Sequence, residues 1–290
     1  MSKFNRSVWL NTFLVALISY SGALKTLSFK IDPSEKDKVV VPVFNAGTPA
    51  VKGDLDTTYE GLNKAFVEIA TDEDMHKGWL ISRKDAESTD IDIIEEASTQ
   101  GIDLVMSGVE LDVFSVMAGG SGLKYQFTDI IAGNTGLTYE NIVRAKKLMT
   151  KNLCPLSDRF LMINADKQEE LELIKDPQGR YIFIANEKAT DEQLKRGEIG
   201  MIKGFTVIVT ENTPKVTVLG AYDEATPANN TQDVALFYHS ASCASAVDED
   251  SMYIFTEESA DKRGWKIVPQ LLYGKGVLRD KWIVAVRDNT

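Results

Sequence analysis

Apolar residues fall at three- and four-residue steps through the stretch from Thr89 to Ala118: Ile91, Ile94, Ile102, Val105, Val109, Val113 and Val116. That spacing lines one face of a helix, and the longest helix of the chain is expected there. Thr89 and Asp92 match a capping box at its start. Gly101 and Gly108 interrupt it, each costing about 1 kcal/mol relative to alanine. A glycine kept inside a helix implies close approach by another backbone. Gly119-Gly120-Ser121-Gly122 ends the run.

A second helix is expected from Tyr139 to about Leu153. Thr138 caps it, Ile142, Ala145, Met149 and Leu153 form its apolar side, and Pro155 stops it. Asp166 and Glu169 open a short acidic helix through Ile174 by the same capping logic. Period-two and β-branched runs predict strands at Thr26–Ile31, Val39–Phe44, Ala65–Ala70, Phe160–Ile163 and Tyr181–Ala185. Further strands are expected at Val216–Leu219, Val234–Tyr238, Met252–Phe255, Trp265–Tyr273 and Trp282–Val286. Pro42 places its strand at an edge. Charged turns are expected at residues 32–38 and 71–74, a loop at 45–62, and a turn or short helix at 190–195. Gly274-Lys275-Gly276 reads as a hairpin turn between Tyr273 and Val277.

At the N-terminus, Lys3 and Arg6 precede an apolar run from Val8 to Ile18. Asn11 and Thr12 interrupt it, no small-x-small cleavage site follows, and it is too short to span a bilayer. Trp9, Phe13 and Leu17 recur at helical spacing, so an amphipathic arm helix is expected. The region 36–86 is β-like and lacks the apolar density of a separate core. Such a segment makes most sense when another chain covers it.

Composition narrows the function. The 290 residues suffice for one large domain or two medium ones, and 43% hydrophobic with 26% charged residues is a folded, soluble balance. A net charge of -11 opposes nucleic-acid binding across the whole surface, which needs clustered Lys and Arg. Cys154 and Cys243 are the only cysteines and are expected as buried free thiols. His76 and His239 are the only histidines, too few for a histidine metal site.

Candidate chemistry is thin. Gly119–Gly122 lacks the Gly-Lys-Ser/Thr and the preceding strand of a phosphate loop. Ser240-Ala241-Ser242-Cys243 beside His239 places nucleophiles near a base, without a Gly-x-Ser-x-Gly elbow. Asp248-Glu249-Asp250 and Glu257-Glu258 do not match a calcium loop. Trp79, Trp265 and Trp282 have no interleaved basic residues, and they read as core or interface anchors. No catalytic, cofactor-binding or metal residue is assigned.

The most informative passage runs from Gly197 to Pro214: a short apolar strand, a glycine break and a longer strand ended by a turn. Before it come Leu137-Thr138-Tyr139-Glu140-Asn141-Ile142 and Arg159-Phe160-Leu161-Met162-Ile163-Asn164. After it, Trp265 to Val286 returns through Tyr273-Gly274 to a terminal strand. In this order the chain resembles the major capsid protein of tailed bacteriophages, the Hong Kong 97-type fold.

The resemblance implies an α+β fold with an N-terminal arm (1–35), an extended β loop (36–86) and a peripheral domain with a long spine helix (87–122). An axial domain (123–245) and closing return strands (246–290) complete it. It implies self-assembly, through pentamers and hexamers, into an icosahedral shell around double-stranded DNA, with no sequence-specific DNA binding and no membrane. Scaffolding, portal and decoration proteins are the other implied partners. The implied location is the virion capsid, assembled in the host bacterial cytoplasm. No enzyme activity and no cofactor are implied. Some members crosslink subunits through Lys and Asn; the resemblance singles out neither residue in this sequence, and a crosslink is not among the expectations. The rival readings are a hydrolase-like α+β enzyme and an exported surface protein carrying a glycan at Asn229-Asn230-Thr231.

Overall fold

A computed structural model describes residues 22–27, 29–31, 38–44, 64–82, 84, 93–118, 137–175, 179, 183–185, 198–216, 232–247, 253–259 and 264–286. After a 3-10 turn at Ala23–Thr26 come β1 (Phe29–Ile31), β2 (Lys38–Phe44), β3 (Lys64–Ala70), β4 (Glu73–His76) and β5 (Trp79–Ser82). Then follow α1 (Ile93–Met117), α2 (Tyr139–Lys151), β6 (Arg159–Ile163), α3 (Ala165–Leu173) and β7 (Ile184–Ala185). The described strands that follow are β8 (Glu198–Ile202), β9 (Phe205–Val209), β10 (Lys215–Val216), β11 (Gln232–Asp233), β12 (Ala235–His239), β13 (Cys243–Val247), β14 (Tyr253–Ser259), β15 (Gly264–Val277) and β16 (Val284–Val286), with a 3-10 turn at Asp280–Trp282 before the last.

Two six-stranded sheets carry the molecule. The first is built on β15, a strand of 14 residues. Its residues 264–267 pair with both β5 and β14, so these lie on opposite edges. Farther along, β4 follows β5 on one edge and β13 follows β14 on the other. β1 adds in parallel outside β13. The second sheet runs β16-β12-β6-β9-β8-β7, and only β6 and β9 pair in parallel.

Period two explains how the second sheet is buried on both faces. On β6, Phe160 and Met162 face one core while Leu161 and Ile163 face the other; on β12, Leu236 and Tyr238 alternate with Ala235 and Phe237. The first core receives α1 through Ile102, Val105, Val109 and Val113, with Leu24 and Leu27 beside them. The second receives α2 through Ile142, Ala145 and Met149, and α3 through Leu171. Each large apolar side chain so buried is worth about 1.5–3 kcal/mol. Helix α1 therefore lies between the sheets, and Leu271 and Tyr273 of β15 share its core.

Several expectations hold. Thr138 caps α2, its Oγ1 accepting from Asn141 N at 3.3 Å. Between β8 and β9 the break is a two-residue turn, Lys203-Gly204, with φ of 48° and 92°. Both values suit the primed hairpin turn that matches strand twist. The β2, β3 and β6 runs are strands, and both cysteines are buried and free. The arm helix, the loop at 45–62, the Thr89/Asp92 cap, Gly119–Gly122, residues 190–195 and Asn229–Thr231 fall outside the described residues.

Other expectations are corrected. Gly274-Lys275-Gly276 is not a turn but the interior of β15. A Cβ on Gly274 would meet Ala70 O at 2.2 Å, and one on Gly276 would meet Ile69 at 2.8 Å. These glycines are there because the β2–β3 ribbon crosses the sheet at that point. Gly101 and Gly108 make room for side chains, not a backbone: Trp79 and Pro269 at the first, Met75 at the second. Leu153 leaves the apolar side of α2 and is exposed. Asn164, not Asp166, caps α3, accepting from Lys167 N at 2.9 Å. Residues 23–26 form a 3-10 turn, leaving only Phe29–Ile31 as strand. Glu73 and Asp74 belong to β4 instead of a turn. The run after Ser242 is a strand, β13.

Candidate functional site

Three constructions stand out, and each joins parts of the fold. The first clamps α1 from two sides. Glu110, almost fully buried, accepts from Thr210 Oγ1 at 2.9 Å and Asn212 Nδ2 at 3.4 Å. Ser107 Oγ donates to Asn212 Oδ1 at 2.7 Å. These bonds tie the helix to the end of β9. Two residues on, Asp112 accepts from Tyr273 OH and from Lys275 Nζ, both on β15. Lys275 also pairs with Glu73 Oε2 of β4 at 2.9 Å. A two-residue step is 200° around a helix, so the two acids address different neighbours.

Burial shapes this cluster electrostatically. Burial pushes the Glu73 carboxyl up; Lys275 pulls against it and the Asp112 charge adds to the rise. At Lys275 burial works to lower the ammonium, but the hydrogen bonds to Asp112 and Glu73 outweigh it and the pKa is raised. Burial and the bond to Asp112 push the Tyr273 phenol well up. The cluster is a charged bolt through helix, central strand and ribbon root.

The second construction is the joint between the sheets. The chain passes from β12 to β13 through residues 240–242 and returns from β15 to β16 through 278–283. Ser242 O accepts from Leu278 N at 2.8 Å and Arg279 N at 3.0 Å, and Arg279 Nη1 donates to Ala241 O at 3.0 Å. The Trp282 ring packs edge-on against His239, and Arg279 lies over it. Its Nε1 donates to Asn152 O at 3.1 Å. Both crossings are thus strapped together beside the end of α2.

This joint is where the sequence placed Ser240, Ser242 and Cys243 beside His239, and the geometry is not that of a nucleophile site. His239 Nδ1 is occupied, accepting from Ala241 N at 3.0 Å. Burial pushes the Cys243 thiol up to about 12, and a thiol so held is inert. Burial also pushes Cys154 up, against the opposing pull of Arg159. Glu257 and Glu258 are exposed on β14, and Glu257 meets Lys266 at 3.5 Å. Among the described residues no group of three or more His, Cys, Asp or Glu is placed to hold a metal ion. None of the helices among them is long and apolar enough to cross a membrane.

The third construction is the β2–β3 ribbon. Its inner face, Val41, Val43 and Ile69, packs on Ala244, Ala246 and Leu278. Its outer face carries Val40 at 49% exposure, Pro42, and Phe66 at 63%. Pro42 stands opposite Phe66 in the register, and Val40 opposite Glu68. The ribbon thus lies on the first sheet by one face and turns Val40, Pro42 and Phe66, with Glu68 among them, to the outside. Sequence reasoning located the ribbon but missed the bolt. The signal for the bolt was Glu110 and Asp112 set within the most apolar stretch of α1.

Structural comparison places this arrangement. No protein-family profile matches the chain, and no curated protein does. Among solved structures, the capsid of Ralstonia phage GP4 matches with a TM-score of 0.60 at 14% identity, covering 94% of this chain and 90% of that one. A chain of Mycobacterium phage Che8 matches at 0.59 and 16% identity, covering 87% of this chain and 85% of that one. The capsid of an empty GTA particle matches at 0.59 and 12% identity, with 94% and 90% covered. At these identities the likeness is one of fold, and it extends over nearly the whole chain.

Proposed function

We propose that this chain, which has the Hong Kong 97-type capsid fold, is a major capsid protein that assembles into the icosahedral shell around the double-stranded DNA of a tailed phage. The observation that carries this reading is the fold match over 94% of the chain to a phage capsid. The outward apolar face of the β2–β3 ribbon supports it, because that face lacks a covering layer within the described chain.

In this reading the first sheet and α1 form the peripheral domain, with α1 as the spine helix. The second sheet with α2 and α3 forms the axial domain. The β2–β3 ribbon is the base of the extended loop, and residues 1–35 are the arm. The joint at 239–243 and 278–283 is where the two domains meet. A closed shell asks one subunit for several heterologous contacts, and ribbons and arms provide them outside the compact core. Many weak contacts then hold the particle together. The net charge of -11 suits a wall that encloses DNA without gripping it. No catalysis is required of the chain. Pentamers and hexamers of the chain are the building units. Scaffolding, portal and decoration proteins are the partners this role would bring, and assembly would take place in the host cytoplasm. Expression of the full chain, followed by pelleting and electron microscopy of the lysate, tests the reading. Closed shells, tubes or rings are expected; a protein that stays in the supernatant as a monomer contradicts it.

A further inference from the structure

The end of α2 and the loop after it form a surface built to be met. Arg144, Lys147 and Lys151 stand exposed at three- and four-residue steps on one side of the helix, Arg144 bridged to Glu140 at 3.8 Å at the head of the row. Just beyond them Leu153 and Leu156 are 76% and 69% exposed. The loop that carries the leucines is firmly held. Arg159, itself buried, donates Nε to Pro155 O at 2.6 Å and Nη2 to Cys154 O at 2.7 Å. Cys154 N donates to Met149 O at 3.0 Å, and Asn152 Nδ2 donates to Lys281 O at 3.0 Å. Leu153 has φ of 56°, in the left-handed region that favours glycine. Its side chain is turned to water, away from the apolar side of α2. Together these residues make a preset apolar projection beside a row of cations.

Helix α3 offers the opposite charge. Asp166, Glu169 and Leu173 stand at i, i+3 and i+7, with Glu172 beside them, and all are exposed. Leu173 is 62% exposed. The one lysine of the helix, Lys167, is turned inward and paired with Glu170 at 2.9 Å. On this outer face the amide of Gln168 donates to Glu172 at 3.0 Å.

We infer that the α2 face of one copy docks on the α3 face of the next, within a ring of copies. The inference rests on the shell reading above and names one of its contacts. Two different patches on one chain make a head-to-tail interface, which closes into a ring when the rotation from copy to copy divides a full turn. Opposite charges set the register and speed encounter, while like charges oppose α2–α2 and α3–α3 pairing. The leucines supply the apolar centre of the contact.

The test uses the full chain and charge reversal. Lys147→Glu with Lys151→Glu makes both faces acidic; Glu169→Lys with Glu172→Lys makes both basic. Each variant alone is expected to need at least about tenfold more protein to assemble than the unaltered chain, read by light scattering. The variant carrying all four changes regains assembly, which separates a lost contact from a misfolded chain. Mixing the two double variants gives a sharper outcome. The acidic and basic copies must alternate, so even-numbered rings form and five-membered rings do not, as counted by electron microscopy. Assembly of either double variant at the unaltered concentration overturns this contact and leaves the shell reading standing. So does failure of the fourfold variant to recover. If the unaltered chain itself never assembles, the shell reading falls and this contact with it.

Discussion

Gly274 of β15 lies directly under the carbonyl of Ala70: a Cβ at that glycine would sit 2.2 Å from Ala70 O and 3.0 Å from Ile69 Cγ2. The β2–β3 ribbon can cross the central strand only because the strand has no side chain there. Gly274→Ala forces backbone to move on one side or the other. The expected loss is about 2–3 kcal/mol, the usual cost of overpacking. Urea unfolding of the unassembled chain measures it, and a change below about 0.5 kcal/mol would mean the crossing is looser than described.

The Lys275 bolt behaves as a unit. Its Nζ holds Asp112 and Glu73 together, with Lys275 and Asp112 side chains only 13% and 19% exposed. Lys275→Met leaves two carboxylates facing each other without a cation, at a cost of about 3 kcal/mol. Adding Asp112→Leu removes the stranded charge on α1 and is expected to recover part of that loss. Additive losses in the urea midpoints of the single and double variants would show that the groups are not coupled.

Acid weakens the joint between the sheets. Burial lowers the pKa of His239; Asp158 pulls it back, while Arg159 and Arg279 lower it further. With Nδ1 accepting from Ala241, the neutral ring carries its proton on Nε2. A second proton breaks that bond and adds a cation beside two arginines. Because the folded pKa lies below the unfolded value, the stabilisation is complete above about pH 6.5 and is lost as pH falls through the folded pKa. Stability measured from pH 7.5 to 5 should therefore decline, and His239→Asn should flatten the decline. An identical slope in the variant would place the acid sensitivity elsewhere.

Neither thiol is expected to react in the folded chain. Cys243 is fully buried with its pKa pushed up to about 12, and Cys154 is buried with its pKa raised. A thiol reagent at pH 8 is expected to label neither within minutes and both in urea. Rapid native labelling of Cys243 would reopen the question of chemistry at the joint.

What the sequence disclosed follows from the range of the interactions involved. The α1 stripe, the Thr138 cap and the Lys203-Gly204 turn depend on neighbours a few residues away, and each was legible. Gly274 was misread as a turn because the reason for it, Ala70, lies about two hundred residues earlier in the chain. Leu153 was misread as core because the α2 spacing carries on while the backbone turns left-handed. β13 was hidden by a run of small residues, Cys-Ala-Ser-Ala-Val, whose strand pairing with β15 and β1 is non-local. The Asp112–Lys275 bolt joins residues 161 and more positions apart along the chain and left only misplaced acids in an apolar helix as its trace.

If the particle, not the single chain, is the working unit, the purified chain must associate as its concentration rises. Sedimentation velocity of the purified full chain across a hundredfold range of concentration, with electron microscopy of each boundary, tests it most directly. A reversible rise from monomer through rings of five and six to closed shells is expected. A single monomeric boundary at every concentration, with no rings or shells on the grids, would contradict it.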